Sequence, residues 1–173
     1  MELIKAKEAD FERLVSFYKY VIRNTENMQL YTRWIYGKYP DDDIIMDYIG
    51  QGVMYYCEKN GEIASALAVT PYQTEDYHNT EWVVSLADEE TAVVHILCVN
   101  PEMQRQGIGA ETMSLVKKLA RDMNKKAVRL DALSCNKPAH KLYESLGFIN
   151  RGTERWYAEN VGWMEFFLFE FVL

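Results

Sequence analysis

The stretch from Thr91 to Met123 limits the possible folds most. Thr91 to Val99 is β-forming and apolar on both faces, so it reads as a buried strand. The chain then turns through Asn100-Pro101 and a glycine-containing loop. A helix follows from about Gly109 to Met123, with Thr112, Val116, Leu119, Ala120 and Met123 along one side. A second strand over Ala127–Ala132 comes straight after it. A buried strand, a helix and another strand in succession require a layered structure of sheet and helices.

The flanking segments extend that pattern. Glu2 to Lys7 reads as a short strand, and Asp10 is placed to cap a helix carrying Phe11, Leu14, Val15, Tyr18, Val21 and Ile22 at helical spacing. A second helix is expected from Asp42 or Asp43 to Ile49, ended by Gly50 and Gly52. Val53–Lys59 and Glu62–Thr70 form two strands about Asn60-Gly61, a hairpin signal because both residues accept positive φ. A short helix runs from Lys137 to about Leu146, with Asn136 as its cap, Pro138 in its first turn and Gly147 at its end. The last segment, Trp163–Leu173, is apolar on both faces and reads as a central strand. The expected fold class is α/β or α+β, a mixed sheet with helices on both faces. With 173 residues, no repeat and no linker, a single domain over 1–173 is the simplest organisation.

Composition narrows the function. A net charge of −7 argues against general affinity for nucleic acid or anionic membranes. The start of the chain is too charged for a signal peptide, and no apolar run approaches the roughly 20 residues of a membrane span. Cys57, Cys98 and Cys135 are odd in number and scattered, as suits free thiols in a reducing, cytoplasmic compartment. His78, His95 and His140 are too dispersed for a metal site, so no metal is expected.

The chemistry concentrates in Val99-Asn100-Pro101-Glu102-Met103-Gln104-Arg105-Gln106-Gly107-Ile108-Gly109-Ala110. Glycines where a strand turns into a helix expose successive N–H groups at the positive end of the helix dipole, an anion site suited to a pyrophosphate. By itself, Gly-x-Gly before a helix equally fits an ordinary strand–helix turn. The phosphate-loop ending Gly-Lys-Ser/Thr is absent, as is a third glycine spaced for a dinucleotide. A dinucleotide oxidoreductase is further disfavoured because no strand–helix–strand unit stands at the N-terminus.

Gln104-x-x-Gly107-x-Gly109, with Val99-x-Pro101 before it, resembles the acyl-CoA signature of the GNAT superfamily of N-acyltransferases. Asn136-Lys137-Pro138-Ala139-His140-Lys141-Leu142-Tyr143-Glu144-Ser145-Leu146-Gly147-Phe148 resembles that family's other common motif, at the expected distance and with one strand between. The order of elements fits the family over nearly the whole chain, while the first 90 residues hold no specific motif. The resemblance implies a GNAT-like fold with a splayed central sheet, and acetyl-CoA as cosubstrate. It implies that backbone groups of Leu97, Cys98 and Val99 pair with pantetheine, and that the amides of Gln104, Arg105, Gln106, Gly107, Ile108, Gly109 and Ala110 hold the pyrophosphate. Arg105 and Lys141 would contact phosphates, and Asn136 and Tyr143 would lie near the thioester. The implied reaction is direct attack of a primary amine on the thioester. The alternative is an acyl-CoA sensor or interaction domain that has the fold without turnover. The family's pairing habits admit a homodimer.

Tyr143 matches the family's general acid, although it also fits as a packing aromatic beside Leu142 and Leu146. His95, in phase with Leu97 and Val99 on its strand, is the candidate base or else a half-buried core histidine. His78 and His140 read as surface residues. The connection Pro71–Glu90, with Tyr72, Tyr77 and Trp82, is long enough to form an acceptor wall, or to place its aromatics in the core. Glu81–Leu86 within it reads as a possible strand extension. Between Asn60 and Gln104 there are eight acids and no Lys or Arg, whereas Arg105–Lys141 carries nine basic residues against three acids. An acidic segment near the acceptor entrance would attract a small-molecule or peptide amine that is cationic; the same segment would also serve solubility alone.

Overall fold

In a computed structural model, which describes residues 1–158 and 162–173, strands and helices alternate as the apolar periodicity requires. Strand β1 (Leu3–Lys5) leads to α1 (Phe11–Asn24), a single turn α2 (Met28–Tyr31) and α3 (Asp42–Gly50). Then come β2 (Met54–Lys59), β3 (Glu62–Thr70), β4 (Thr91–Val99), α4 (Ile108–Asp122), β5 (Ala127–Leu133), α5 (Lys137–Ser145), β6 (Ile149–Ala158) and β7 (Gly162–Val172). The strand order is β1-β2-β3-β4-β5-β7-β6. β4 and β5 run parallel, while β1–β2, β2–β3, β5–β7 and β6–β7 are antiparallel, which makes the sheet mixed. Among the described residues no helix is long and apolar enough to cross a membrane.

The chain divides into two compact units. The first comprises Met1–Gln29, Trp34–Val69 and Ile96–Val116. Its core gathers Leu14, Val15, Phe17, Tyr18 and Val21 of α1 with Ile45 and Ile49 of α3, Met54 and Tyr56 of β2, and Ala66 and Ala68 of β3. Asn60 (φ 56°) and Gly61 (φ 82°) make the hairpin turn between β2 and β3, where positive φ at both positions matches the strand twist. Asp41 caps α3 by accepting from Ile44 N at 2.9 Å. Asp10 does not cap α1. Its carboxylate turns back to Lys7 N (2.9 Å), because residues 8–10 form a tight 3₁₀ turn whose entry needs that acceptor. The buried positions of α4 include Ile108, Thr112, Met113, Val116 and Ala120, while Leu119 and Met123 are only half-buried.

The second unit comprises Leu30–Arg33, Thr70–His95 and Lys117–Leu173. β7 lies between β5 and β6, an interior place, yet its fully buried stretch is only Leu168–Glu170, and Trp163 is exposed. Arg129 and Glu170 face each other across β5 and β7, with Arg129 Nη2 donating to Glu170 Oε1 at 2.7 Å. The pair also fixes the 71–90 connection. Glu170 Oε2 accepts from Val83 N (2.7 Å), and Arg129 donates to Val84 O (2.9 Å) and to Gln73 Oε1 (2.5 Å). Side chains therefore take the backbone groups that a neighbouring strand would have taken, and Glu81–Leu86 is not a strand. His140 is buried rather than on the surface. Its Nε2 donates to Leu133 O (2.9 Å) and its ring stacks on Phe167 at 4.8 Å. The cysteines are free thiols, with Cys57 and Cys98 buried.

Candidate active site

In the first unit, β4 leaves regular strand geometry where the loop chemistry begins. Ile96 has φ 46°, a conformation a β-branched residue avoids, and Tyr18 hydroxyl donates to its carbonyl at 2.9 Å. Strain of this kind costs on the order of 1–3 kcal/mol and tends to collect at functional sites. Cys98 is buried and its thiol is pushed up by burial, so it stays protonated, whereas Leu97 and Val99 are half-buried.

The loop after β4 is tied down by Asn100. Its N–H reaches Ala64 O (2.9 Å), its side-chain amide reaches Ile63 O (3.3 Å), and its side-chain oxygen accepts from Glu102 N (3.1 Å). Arg105 (φ 60°) and Gly107 (φ 81°) are both left-handed, which curls the backbone around Gln106 into a concavity of N–H groups. Among the described residues no acceptor takes the amides of Arg105, Gln106, Gly107 or Ile108. Gly109 and Ala110 complete the first turn of α4, with Glu111 N already bonded to Gly107 O (2.9 Å). Glu111 is the acid in that first turn, and the amino terminus of Met1 neutralises it. The donors, the helix pole and the countered acid together fit a pyrophosphate. The exposed Gln104 side chain reaches Val99 O at 3.4 Å and Thr25 Oγ1 at 3.5 Å, so it braces the loop. The Arg105 guanidinium lies on an exposed residue.

In the second unit, Asn136 caps α5, its side-chain oxygen accepting from Ala139 N at 3.3 Å. About two helical turns further along, Tyr143 is buried against Phe148 (5.9 Å) and Phe169 (5.5 Å). Its hydroxyl bonds to no other described residue. Burial, with the Asp131 carboxylate adding to it, raises its pKa, so the phenol keeps its proton through the neutral range. Lys141 is exposed on α5.

His95 is half-buried at the point where β4 and β5 part. The β4–β5 ladder covers only Thr91–Val94 against Ala127–Leu130, although β4 runs on to Val99. Thr70 Oγ1 donates to Tyr72 O (2.9 Å) and lies 3.1 Å from His95 Nε2, which puts the imidazole proton on Nε2. Burial lowers the His95 pKa to about 4, so the ring is neutral at physiological pH and binds a proton weakly. His78 is exposed and bonds Asp88 at 2.8 Å.

Tyr77 entered the sequence reading only as an aromatic of the Pro71–Glu90 connection and Asp131 only as one of three acids among basic residues; neither was singled out for a role. An acid inside the apolar Ala127–Ala132 strand was the available signal. Tyr77 hydroxyl donates to Asp131 Oδ1 at 2.7 Å, and Tyr77 ring stacks on Trp82 at 5.8 Å. The loop aromatics are therefore divided, with Tyr77 in the core, Trp82 half-buried and Tyr72 exposed. The charge contrast read from the sequence is also reduced. Arg129 is buried, Lys126 pairs with Glu90, and Lys125 donates to the carbonyls of Pro71 and Glu89. Among the described residues no cluster of His, Cys, Asp or Glu is assembled that would hold a metal ion.

Residues 9–148 match the acetyltransferase (GNAT) family. No curated protein matches the sequence. Several solved structures share the fold over nearly their whole length. A GNAT-family acetyltransferase from Streptococcus agalactiae is 14% identical with a TM-score of 0.77, over 99% of this chain and 95% of that one. The ribosomal-protein-alanine N-acetyltransferase of Brucella melitensis is 16% identical with a TM-score of 0.72, over the whole of both chains (100% and 100%). The yncA protein of Salmonella typhimurium, solved with its cofactor acetyl-CoA, is 17% identical with a TM-score of 0.68, over 99% and 92%. The family match spans both the glycine loop and the Asn136–Phe148 segment: this chain belongs to the acetyltransferase (GNAT) family.

Proposed function

We propose that the chain is a single N-acetyltransferase domain over residues 1–173, which moves an acetyl group from acetyl-CoA to a primary amine in the cytoplasm. The observation that carries this reading is the run of unclaimed amides from Arg105 to the first turn of α4, in a chain of this family. Acetyl-CoA supplies the activated thioester. The amides of Gln104 to Ala110 bind the pyrophosphate, with Arg105 and Lys141 as counter-charges to the phosphates. The backbone of Leu97, Cys98 and Val99, past the end of the β4–β5 ladder, bonds the pantetheine amides. Asn136 fixes the start of α5 and so the direction of Tyr143.

Tyr143, protonated at neutral pH, donates a hydrogen bond to sulfur as charge develops there. His95 accepts from the amine nitrogen. With a pKa of about 4, it lies about 6 units below an alkylammonium, on the order of 9 kcal/mol uphill for direct deprotonation. It therefore acts only once the carbon–nitrogen bond has begun to form and the nitrogen has become acidic. The acidic run between Asn60 and Gln104 favours cationic acceptors, and their advantage would shrink with added salt. Peptide N-termini are one acceptor class to try, since a similar fold acts on a ribosomal-protein alanine.

Gly109→Asp tests the anchor. Acetyl-CoA at a hundredfold excess over its Kd should stabilise the wild type by about 2.7 kcal/mol, seen as a rise in Tm. The variant places a carboxylate in the first turn of α4 and should lose the rise. A folded variant that keeps it would overturn the loop assignment.

A further inference from the structure

Leu14, Tyr18 and Val21 recur at helical spacing on α1, and all three are buried in the core of the first unit. Tyr18 is 0% exposed, so its hydroxyl needs a partner inside the protein. It finds one on another element, donating to Ile96 O of β4 at 2.9 Å. The Cys98 thiol, two residues on, also lies against that hydroxyl. Burial pushes the phenol well above its ordinary pKa, so it remains a donor through the neutral range. Its ring is seated by Trp34 at 6.2 Å, which is itself backed by Tyr39 at 6.3 Å.

The carbonyl that accepts this bond belongs to an unusual stretch of backbone. Among the described residues Ile96 is the one β-branched residue at positive φ (46°). Nothing in Val94-His95-Ile96-Leu97-Cys98 favours that conformation, since neither Gly nor Asn is present. Elsewhere the chain places Asn60, Gly61 and Gly107 where φ is positive. The bend at Ile96 is therefore imposed by tertiary contacts. Its place matters as well. β4 pairs with β5 only as far as Val94↔Leu130, so Ile96 lies between the end of that ladder and Leu97–Val99. Two more contacts join α1 and its end to the segment beyond: Tyr20 hydroxyl donates to Glu102 Oε1 (2.5 Å), and Gln104 Nε2 reaches Thr25 Oγ1 (3.5 Å). Both lie at the surface, where water competes for the same groups, so the buried Tyr18 bond is the stronger restraint.

We propose that Tyr18 is a positioning residue for the acyl donor: its hydroxyl holds the bend at Ile96 and so sets the direction in which Leu97–Val99 offer their backbone groups to pantetheine. This rests on the acetyltransferase reading above. Tyr18 is wholly buried and acts through β4. Without the hydroxyl, Ile96 O loses this donor, and the preference of isoleucine for negative φ is unopposed. The strand then relaxes toward regular β geometry in a fraction of the molecules, and only the bent fraction binds pantetheine. The apparent Kd for acetyl-CoA rises as the inverse of that fraction. The pyrophosphate loop is fixed separately, by Asn100 on the carbonyls of Ala64 and Ile63. The loss therefore falls on the pantetheine arm and spares the phosphates.

The test is a cycle of wild type, Tyr18→Phe, Ile96→Gly and the double variant, each titrated by calorimetry with acetyl-CoA and with ADP. ADP carries a pyrophosphate but no pantetheine. Tyr18→Phe should raise the Kd for acetyl-CoA about tenfold, equivalent to about 1.4 kcal/mol, and leave that for ADP within about threefold. Glycine takes positive φ without strain, so in the Ile96→Gly background the same change should cost less than about threefold in acetyl-CoA affinity. Three results would overturn the proposal: acetyl-CoA affinity in Tyr18→Phe within about threefold of the wild type, equal losses for both ligands, or equal losses in both backgrounds. A merely structural role loosens the protein for either ligand and in either background. Should Tyr18→Phe alone fail to fold, the double variant should fold, because its strain is gone; a double variant that also fails would overturn the proposal. The wild type separates this inference from the reading beneath it. No acetyl-CoA binding by the wild type ends the acetyltransferase assignment and this proposal with it, whereas binding that Tyr18→Phe keeps in full ends the Tyr18 proposal alone.

Discussion

Arg129→Met should be among the most destabilising single changes in the chain. Arg129 is 0% exposed and Glu170 is 1% exposed. Methionine keeps most of the stem but removes the guanidinium. Glu170 would keep only the bond from Val83 N, and Gln73 Oε1 and Val84 O would lose their donor. Breaking a buried pair from one side costs about 3–5 kcal/mol, because the remaining charge is uncompensated. Two orphaned acceptors add about 1 kcal/mol each. The sum, about 5–7 kcal/mol, is a large part of the 5–15 kcal/mol that typically holds a domain together. At about 2–4 °C per kcal/mol for a chain of this size, Tm should fall by roughly 10–28 °C. Urea denaturation of Arg129→Met, Glu170→Leu and the double variant measures the coupling. The double variant should recover to within about 3 kcal/mol of the wild type, since an apolar pair of similar volume avoids the desolvation cost and leaves only Gln73 Oε1, Val84 O and Val83 N without this partner, at about 1 kcal/mol each. If Arg129→Met lies within 1 kcal/mol of the wild type, or the double variant loses the sum of the singles, the pair does not act as described.

Three further outcomes follow from the same geometry. His95 has a folded-state pKa of about 4 against 6.5 for the free group, so the unfolded chain binds the extra proton between those values. Its contribution is intact above pH 6.5 and lost as the pH falls towards 4, by about 3 kcal/mol in total; His95→Gln should show a correspondingly shallower acid loss in urea titrations, and parallel curves would refute it. Tyr143→Phe should lower kcat by roughly 10²–10⁴-fold and leave the acetyl-CoA-induced Tm rise unchanged, whereas wild-type turnover would show that the phenol only packs. Iodoacetamide on the native protein should modify Cys135 first, because Cys57 and Cys98 are buried with thiols pushed up; peptide mapping showing Cys98 modified first would contradict the burial.

Much of the architecture was present in local sequence, for local reasons. Apolar periodicity located β4, α4 and α5 to within a residue or two, since a two-faced strand and an amphipathic helix each fix their own period. Asn60-Gly61 specified its turn because few residue pairs tolerate positive φ in succession. The glycine loop and the Asn136–Phe148 segment were legible because a tight strand-to-helix turn and a helix cap each use contiguous backbone.

What the sequence could not decide was partnership between distant residues. Asp10 was a plausible cap, but a 3₁₀ turn claimed its carboxylate. Glu81–Leu86 had the composition of a strand, yet Arg129 and Glu170 took its backbone groups. His140 looked like a surface residue until Phe167 and Phe169 of β7 closed over it. The run of basic residues from Arg105 to Lys141 looked like an open charged surface, but folding buried Arg129 and turned Lys125 and Lys126 onto the acidic segment. Asp131 has the same cause as all of these. Sequence shows how many charges there are, and only the folded chain decides which are neutralised; Glu170 takes the arginine and Asp131 is left with a tyrosine.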